Sequence, residues 1–343
     1  MSRNVEYSDA ESGSLVHSPS RLFVTANERQ CSLIFAPNYD VSLFGIERFH
    51  PFDSRKWGKV INFLKEWGLV SDNSLISPIE ATRDDLLIAH DKQYLDGLRS
   101  PCRVAAVSEV CFASCIPMFI LDRCFLKPMR LQTGGTVAAC RMALDNGWSI
   151  NVGGGFHHAS RSSGGGFCAY ADISLAIRIL LGHQLVHKVL ILDVDAHQGN
   201  GYEQDFAEDS EVYIIDVFNP NVYPRDRPAR QFINRAVYVD SHTTDSTYMR
   251  LMREEVRLFF TSFHCDLLVY NAGTDCLAGD PLGGLRLSPQ CIIDRDEFVF
   301  RAARDSATPI AMLTSGGYQS SNAALIAASI RNLHEKRLIH LFK

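Results

Sequence analysis

Residues 189–206 read VLILDVDAHQGNGYEQDF, and the apolar opening runs straight into Asp193, Asp195 and His197 at alternate positions. In a strand, a period of two turns all three side chains the same way. Two acids and an imidazole at the end of a buried strand stay repelled or unsatisfied unless a cation lies between them. Asp275, in NAGTDCLAGDPLGG, offers a further carboxylate from a different loop. One imidazole and two carboxylates, Asp195, His197 and Asp275, with room for water, suit an open mononuclear divalent-metal site, for which zinc is the first choice. Asp193 reads either as a ligand or as a hydrogen-bonded acid closing the strand end. Gln198 and Asn200 are conspicuous as neutral amides beside this centre.

His157 and His158 are adjacent in GGGFHHASRSSGGGFC. Preceding glycines let a tight loop deliver both imidazoles into a crowded pocket. Either histidine alone reads as a satisfied polar residue. Beside a metal, the pair supplies what metal-assisted hydrolysis needs, a base for water and a proton donor for the leaving group. Tyr318 follows Ser-Gly-Gly, and a phenol stays protonated at neutral pH while donating to a developing oxyanion. Phe167 and Tyr223 either line an apolar slot or pack as ordinary core aromatics.

These loops each follow an apolar run. The strands expected are 31–35, 149–152, 189–193, 212–217, 236–239, 267–271 and 310–314, alternating with helical patterns, the signature of a parallel sheet covered by helices. Ligands bind such sheets outside the carboxyl ends of the strands, so four polar loops can converge there. Helix starts are marked by Asp53 or Ser54 before a stripe of Trp57, Val60, Ile61 and Leu64, and by a Thr82–Asp85 capping box before Leu86, Leu87 and Leu95. Thr244 or Asp245 opens a stripe from Tyr248 to Phe263, and Ser288 precedes an N1 proline, Pro289. All these stripes are assigned to the core.

With 343 residues, 46% hydrophobic and 21% charged, the chain fits one large α/β domain, residues 31–343. A formal charge of -5 argues against nucleic-acid binding. The ten cysteines, without a secretory signal ahead of them, read as reduced, buried thiols of a cytoplasmic or nuclear protein. Cys111 and Cys115 lack a second pair at zinc-knuckle spacing and are assigned to packing. Residues 1–30, Ser-rich and acidic at the start, are expected to form a disordered tail. The apolar segment 104–121 is interrupted by Glu109 and Pro117, which favours a buried helix or loop pair over a membrane span.

GGGFHHASRSSGGGFCAYADI, LDVDAHQGNG, NAGTDCLAGDPLGGL and TSGGYQ together resemble the zinc-dependent histone deacetylases, and HQGNG with HPFDSRKWGKVINFL is similar to their class IV branch. The resemblance spans residue 31 to the end in consistent order. It implies an arginase-like α/β fold, a mostly parallel sheet of about eight strands with helices on both faces, and hydrolysis of acyl-lysine amides. By position it implies zinc on Asp195, His197 and Asp275, His158 as general base, His157 supporting protonation and Tyr318 on the oxyanion. It also implies Phe167, Tyr223, Leu282 and Gly166 along the acyl-lysine tunnel, and Asp193 behind His157 beside a structural potassium ion. Histones or other acylated proteins, corepressors and partner deacetylases are the implied partners. The departures are Gln198 and Asn200, where most of the family carries a histidine and an acid. An amide fixes a tautomer but adds no charge, so His158 is expected to be less basic, with slower acetyl-lysine turnover or a preference for longer acyl chains. A polyamine deacetylase on the same fold, or an inactive acyl-lysine-binding scaffold, are the competing readings.

Overall fold

In the computed structural model, which describes residues 19–41 and 55–341, seven strands form one sheet. They are β1 (Leu33–Ile34), β2 (Trp148–Asn151), β3 (Val189–Asp193), β4 (Val212–Phe218), β5 (Arg235–Tyr238), β6 (Leu267–Asn271) and β7 (Ile310–Leu313). All neighbours pair in parallel, in the order β1-β2-β7-β6-β3-β4-β5. These are the seven runs read as strands from the sequence, and the count roughly matches the sheet of about eight that the resemblance implies. Every residue of β3, β6 and β7 is buried, as the unbroken apolar runs require of strands covered on both faces.

The helices are α1 (Lys56–Glu66), α2 (Arg83–Leu86), α3 (Lys92–Gly97), α4 (Pro101–Ser108), α5 (Met118–Leu121), α6 (Lys127–Asn146), α7 (Asp172–Gly182), α8 (Asn200–Asp205), α9 (Asp245–Ser262), α10 (Pro289–Asp305) and α11 (Asn322–Glu335). α6 packs on α7 and on β2 and β7, while α1, α11, α10 and α9 pack in succession. Their caps follow the sequence signals. Thr82 and Asp85 form a reciprocal capping box, and Thr244 and Ser288 accept from the backbone N–H groups of Thr247 and Cys291. The cap expected at Asp53 or Ser54 lies outside the described residues.

Three expectations change. The packed domain begins before residue 31: Leu22 is fully buried in the core and Arg21 pairs with Asp85 at 2.8 Å. The single helix drawn from Thr82 to Leu95 is two, α2 and α3, and Leu87 faces outward. Cys102, Cys111 and Cys115 are exposed rather than packed, although six other cysteines are buried. Segment 104–121 is divided among α4, a 3-10 turn over Cys111–Cys115 and α5. Among the described residues no helix is long and apolar enough to cross a membrane.

Candidate metal centre and active site

The loops after β2, β3, β6 and β7 meet, because these strands lie side by side and point the same way. The loop after β3 carries Asp195 and His197, and the loop after β6 carries Asp275. Their ligand atoms all lie within 4.8 Å of one another, and all three residues are buried. His197 Nδ1 is 2.8 Å from Asp275 Oδ2 and 3.1 Å from Asp195 Oδ1. Burial opposes a charge on His197, yet the two carboxylates outweigh it and hold its pKa well above the usual value. Burial and the neighbouring Asp195 push Asp275 upward. Two buried acids and an imidazole at this spacing are what a divalent cation would satisfy. Backbone fits closely around them: a Cβ on Gly316 would stand 2.3 Å from Asp195 Oδ2 and 2.5 Å from Asp275 Oδ2.

Asp193 ends β3 outside this trio. Its Oδ2 lies 2.9 Å from His157 Nδ1 and accepts from Tyr202 Oη and Asn271 Nδ2, each at 3.0 Å. Burial alone would depress His157, but Asp193 and Asp195 prevail and raise it to about 9. His158 goes the other way, lowered by burial and by the positive fields of His157 and His197. Its Nδ1 lies 3.0 Å from Asn200 Oδ1. The loop holding both rings is tied down by Asp172 at the start of α7, which accepts from the N–H groups of Gly155 and Phe156 at 2.8 Å each.

Tyr318 follows β7, its ring edge-on to His197 at 5.9 Å. Burial, then Asp195 and Asp275, hold its hydroxyl well above the usual value and so protonated. A narrow cavity of about 30 Å³ is walled by His157, His158, Gly166, Phe167, Asp195 and Tyr318. Gly166 adopts φ 54°, and a Cβ there would meet the His158 ring at 2.5 Å, so this wall needs glycine. Tyr223 stands edge-on to His158 at 4.8 Å and is 43% exposed, at the mouth. Leu282 is 38% exposed and is not among the residues lining this cavity.

Sequence reasoning missed several contributors. Trp57, assigned to the core stripe, lines the cavity, and fully buried Lys56 donates to the carbonyls of Ser315 and Gly316. Tyr202 and Asp226, which ties down Asn200, were also missed; a residue acting through a distant partner leaves no local spacing to read.

The chain matches the family model described as histone deacetylase domain over residues 50–333. It is 46% identical to histone deacetylase 2 of Arabidopsis thaliana over 320 residues, covering 93% of this chain and 83% of the relative. To histone deacetylase clr6 of Schizosaccharomyces pombe it is 27% identical over 295 residues, 81% of this chain and 70% of that one. The crystal structure of the HDA15 HD domain superposes with a TM-score of 0.72 at 20% identity over 90% of each chain, a likeness of fold. With the family model over most of the chain and a relative this similar, the chain belongs to the histone deacetylase domain family, hydrolases that act on acyl-lysine amides.

Proposed function

We propose that this protein is a zinc-dependent protein lysine deacylase of the class IV branch, working on N-epsilon-acyl-lysine of histones or other proteins in the nucleus or cytoplasm. The observation that carries this reading is the cluster of Asp195, His197 and Asp275, whose Asp195 lines one cavity together with His157, His158 and Tyr318. The branch assignment rests on Gln198 and Asn200. Bound zinc would supply Lewis acidity toward the amide carbonyl and toward water. His158, held neutral, takes the proton of the attacking water at Nε2. His157, held cationic against Asp193, stabilises the developing charge and supports protonation of the departing lysine nitrogen. Tyr318 donates its hydroxyl proton in a hydrogen bond to the oxyanion. Phe167 and Tyr223 flank the methylenes of the lysine, with Gly166 between them and Leu282 at the rim.

A structural potassium ion is part of the same proposal: Asp193, Asp216 and Glu203 bring buried carboxyl groups together behind the zinc loop, a charge that a cation or shared protons must offset. Corepressors or other deacetylases are the proposed protein partners. As for acyl length, the cavity of about 30 Å³ has room for a methyl-sized group, and a longer chain requires Trp57 or the glycine loops to give way. Slow acetyl-lysine turnover follows from the missing carboxylate beside His158; a preference for longer chains carries this added geometric condition.

The test compares acetyl-, myristoyl- and trifluoroacetyl-lysine peptides with the zinc-loaded protein. Tyr318→Phe should retain zinc and lose about a hundredfold to a thousandfold in kcat. Near-normal turnover in that variant would remove Tyr318 from the oxyanion role, and full activity in His158→Ala would remove the base.

A further inference from the structure

The carboxylate absent at position 200 has a substitute one bond network further out. Asn200 turns its Oδ1 to His158 at 3.0 Å and its Nδ2 to Asp226 Oδ2 at 3.2 Å. Asp226 lies in the loop after β4, close to Tyr223, and is itself anchored. Its Oδ1 accepts from Ala229 N at 3.1 Å, its Oδ2 from Gln204 Nε2 at 2.8 Å, and its carbonyl from Gln198 Nε2 at 2.9 Å. Gln198 is fixed in turn by Glu203 at 2.6 Å and by Arg230 at 3.2 Å.

An amide has a donor face and an acceptor face, and nothing in Asn200 itself decides which one meets His158. A carboxylate only accepts. We propose that Asp226 is a positioning residue for the general base: by accepting from the Asn200 amide nitrogen it turns the amide oxygen to His158 and thereby selects the His158 tautomer with the proton on Nδ1. That tautomer leaves the Nε2 lone pair for water. With the amide reversed, Nδ2 would face Nδ1, the proton would move to Nε2 and the ring could not act as base. Asn200 thus forms a relay, His158–Asn200–Asp226, in which orientation is transmitted through a neutral group, while Gln198 anchors the Asp226 carbonyl. The inference rests on the reading of His158 as base.

Asp226→Ala, and the near-isosteric Asp226→Leu in case the first fails to fold, should lower kcat about tenfold to a hundredfold with KM and zinc content unchanged. Nitrogen-15 spectra of histidine-labelled protein should show His158 passing from Nδ1–H to a mixture of tautomers. Adding Asn200→Asp to Asp226→Ala should restore kcat to within a few fold of the parent, because a carboxylate at 200 has no donor face to turn. An Asp226→Ala protein with parental kcat and tautomer overturns the proposal. So does a double variant no better than the single one, since Asp226 would then serve only to hold its loop. If the zinc-loaded parent cleaves no acyl-lysine peptide, the deacylase reading falls, while the tautomer measurement still decides the role of Asp226.

Discussion

Gly316 shows how tightly individual atoms constrain the centre. Any side chain there would be driven into both Asp195 and Asp275, so Gly316→Ala should lower zinc affinity about tenfold to a hundredfold. Titration against a competing chelator measures this, and parental affinity would mean the carboxylates can shift freely. The grouping of Asp195, His197 and Asp275, with His157, His158 and Tyr318 close by, was legible in sequence because these residue types stood at fixed offsets behind apolar runs. Asp193 could not be assigned from the residues alone. Only its contacts with His157, Tyr202 and Asn271 separate an orienting acid from a ligand. Lys56 was hidden for a similar reason: a buried ammonium satisfied by carbonyls on a far loop has no counterpart nearby in the chain.

α8 begins at Asn200 and carries Glu203 inward, against Gln198 and Asp216. Burial first, with the charges of Asp193 and Asp226, pushes the Glu203 carboxyl from 4.5 up to about 7. The folded state therefore binds this proton more tightly than the unfolded chain. Its contribution is most favourable below about pH 4.5 and declines as pH rises through about 7, by about 3 kcal/mol at most. Glu203→Gln should flatten this part of the stability profile in chemical unfolding measured between about pH 5 and pH 8. Parallel profiles for both proteins would mean the pair with Asp216 is already neutralised by a cation. Helix starts at Thr82, Thr244 and Ser288 were readable from capping chemistry. The π-turn at Asp122–Leu126, which joins α5 to α6 and sets Phe125 edge-on to Phe167 at 5.0 Å, was not, since its residues carry no breaker.

At the scale of the whole molecule, the fold class and the central strands were legible because parallel strands buried on both faces read as unbroken apolar runs, while the exposed edge strand β5 was read from its position in the alternation. The domain edge was not, because a short apolar cluster, Leu22, Phe23 and Val24, in a polar stretch resembles a tail. Leu22→Ala should cost about 2–5 kcal/mol in unfolding free energy, whereas a disordered residue would cost nothing measurable. Sheet order has its own consequence. β7, the last strand in sequence, lies between β2 and β6. Until it is made, the emerging chain holds two separate sheet fragments with open edges, and Tyr318 has yet to follow. Synthesis therefore finishes the sheet and the catalytic pocket in one late step, so that a prematurely ended chain is inert and offers bare strand edges for aggregation or for recognition by chaperones.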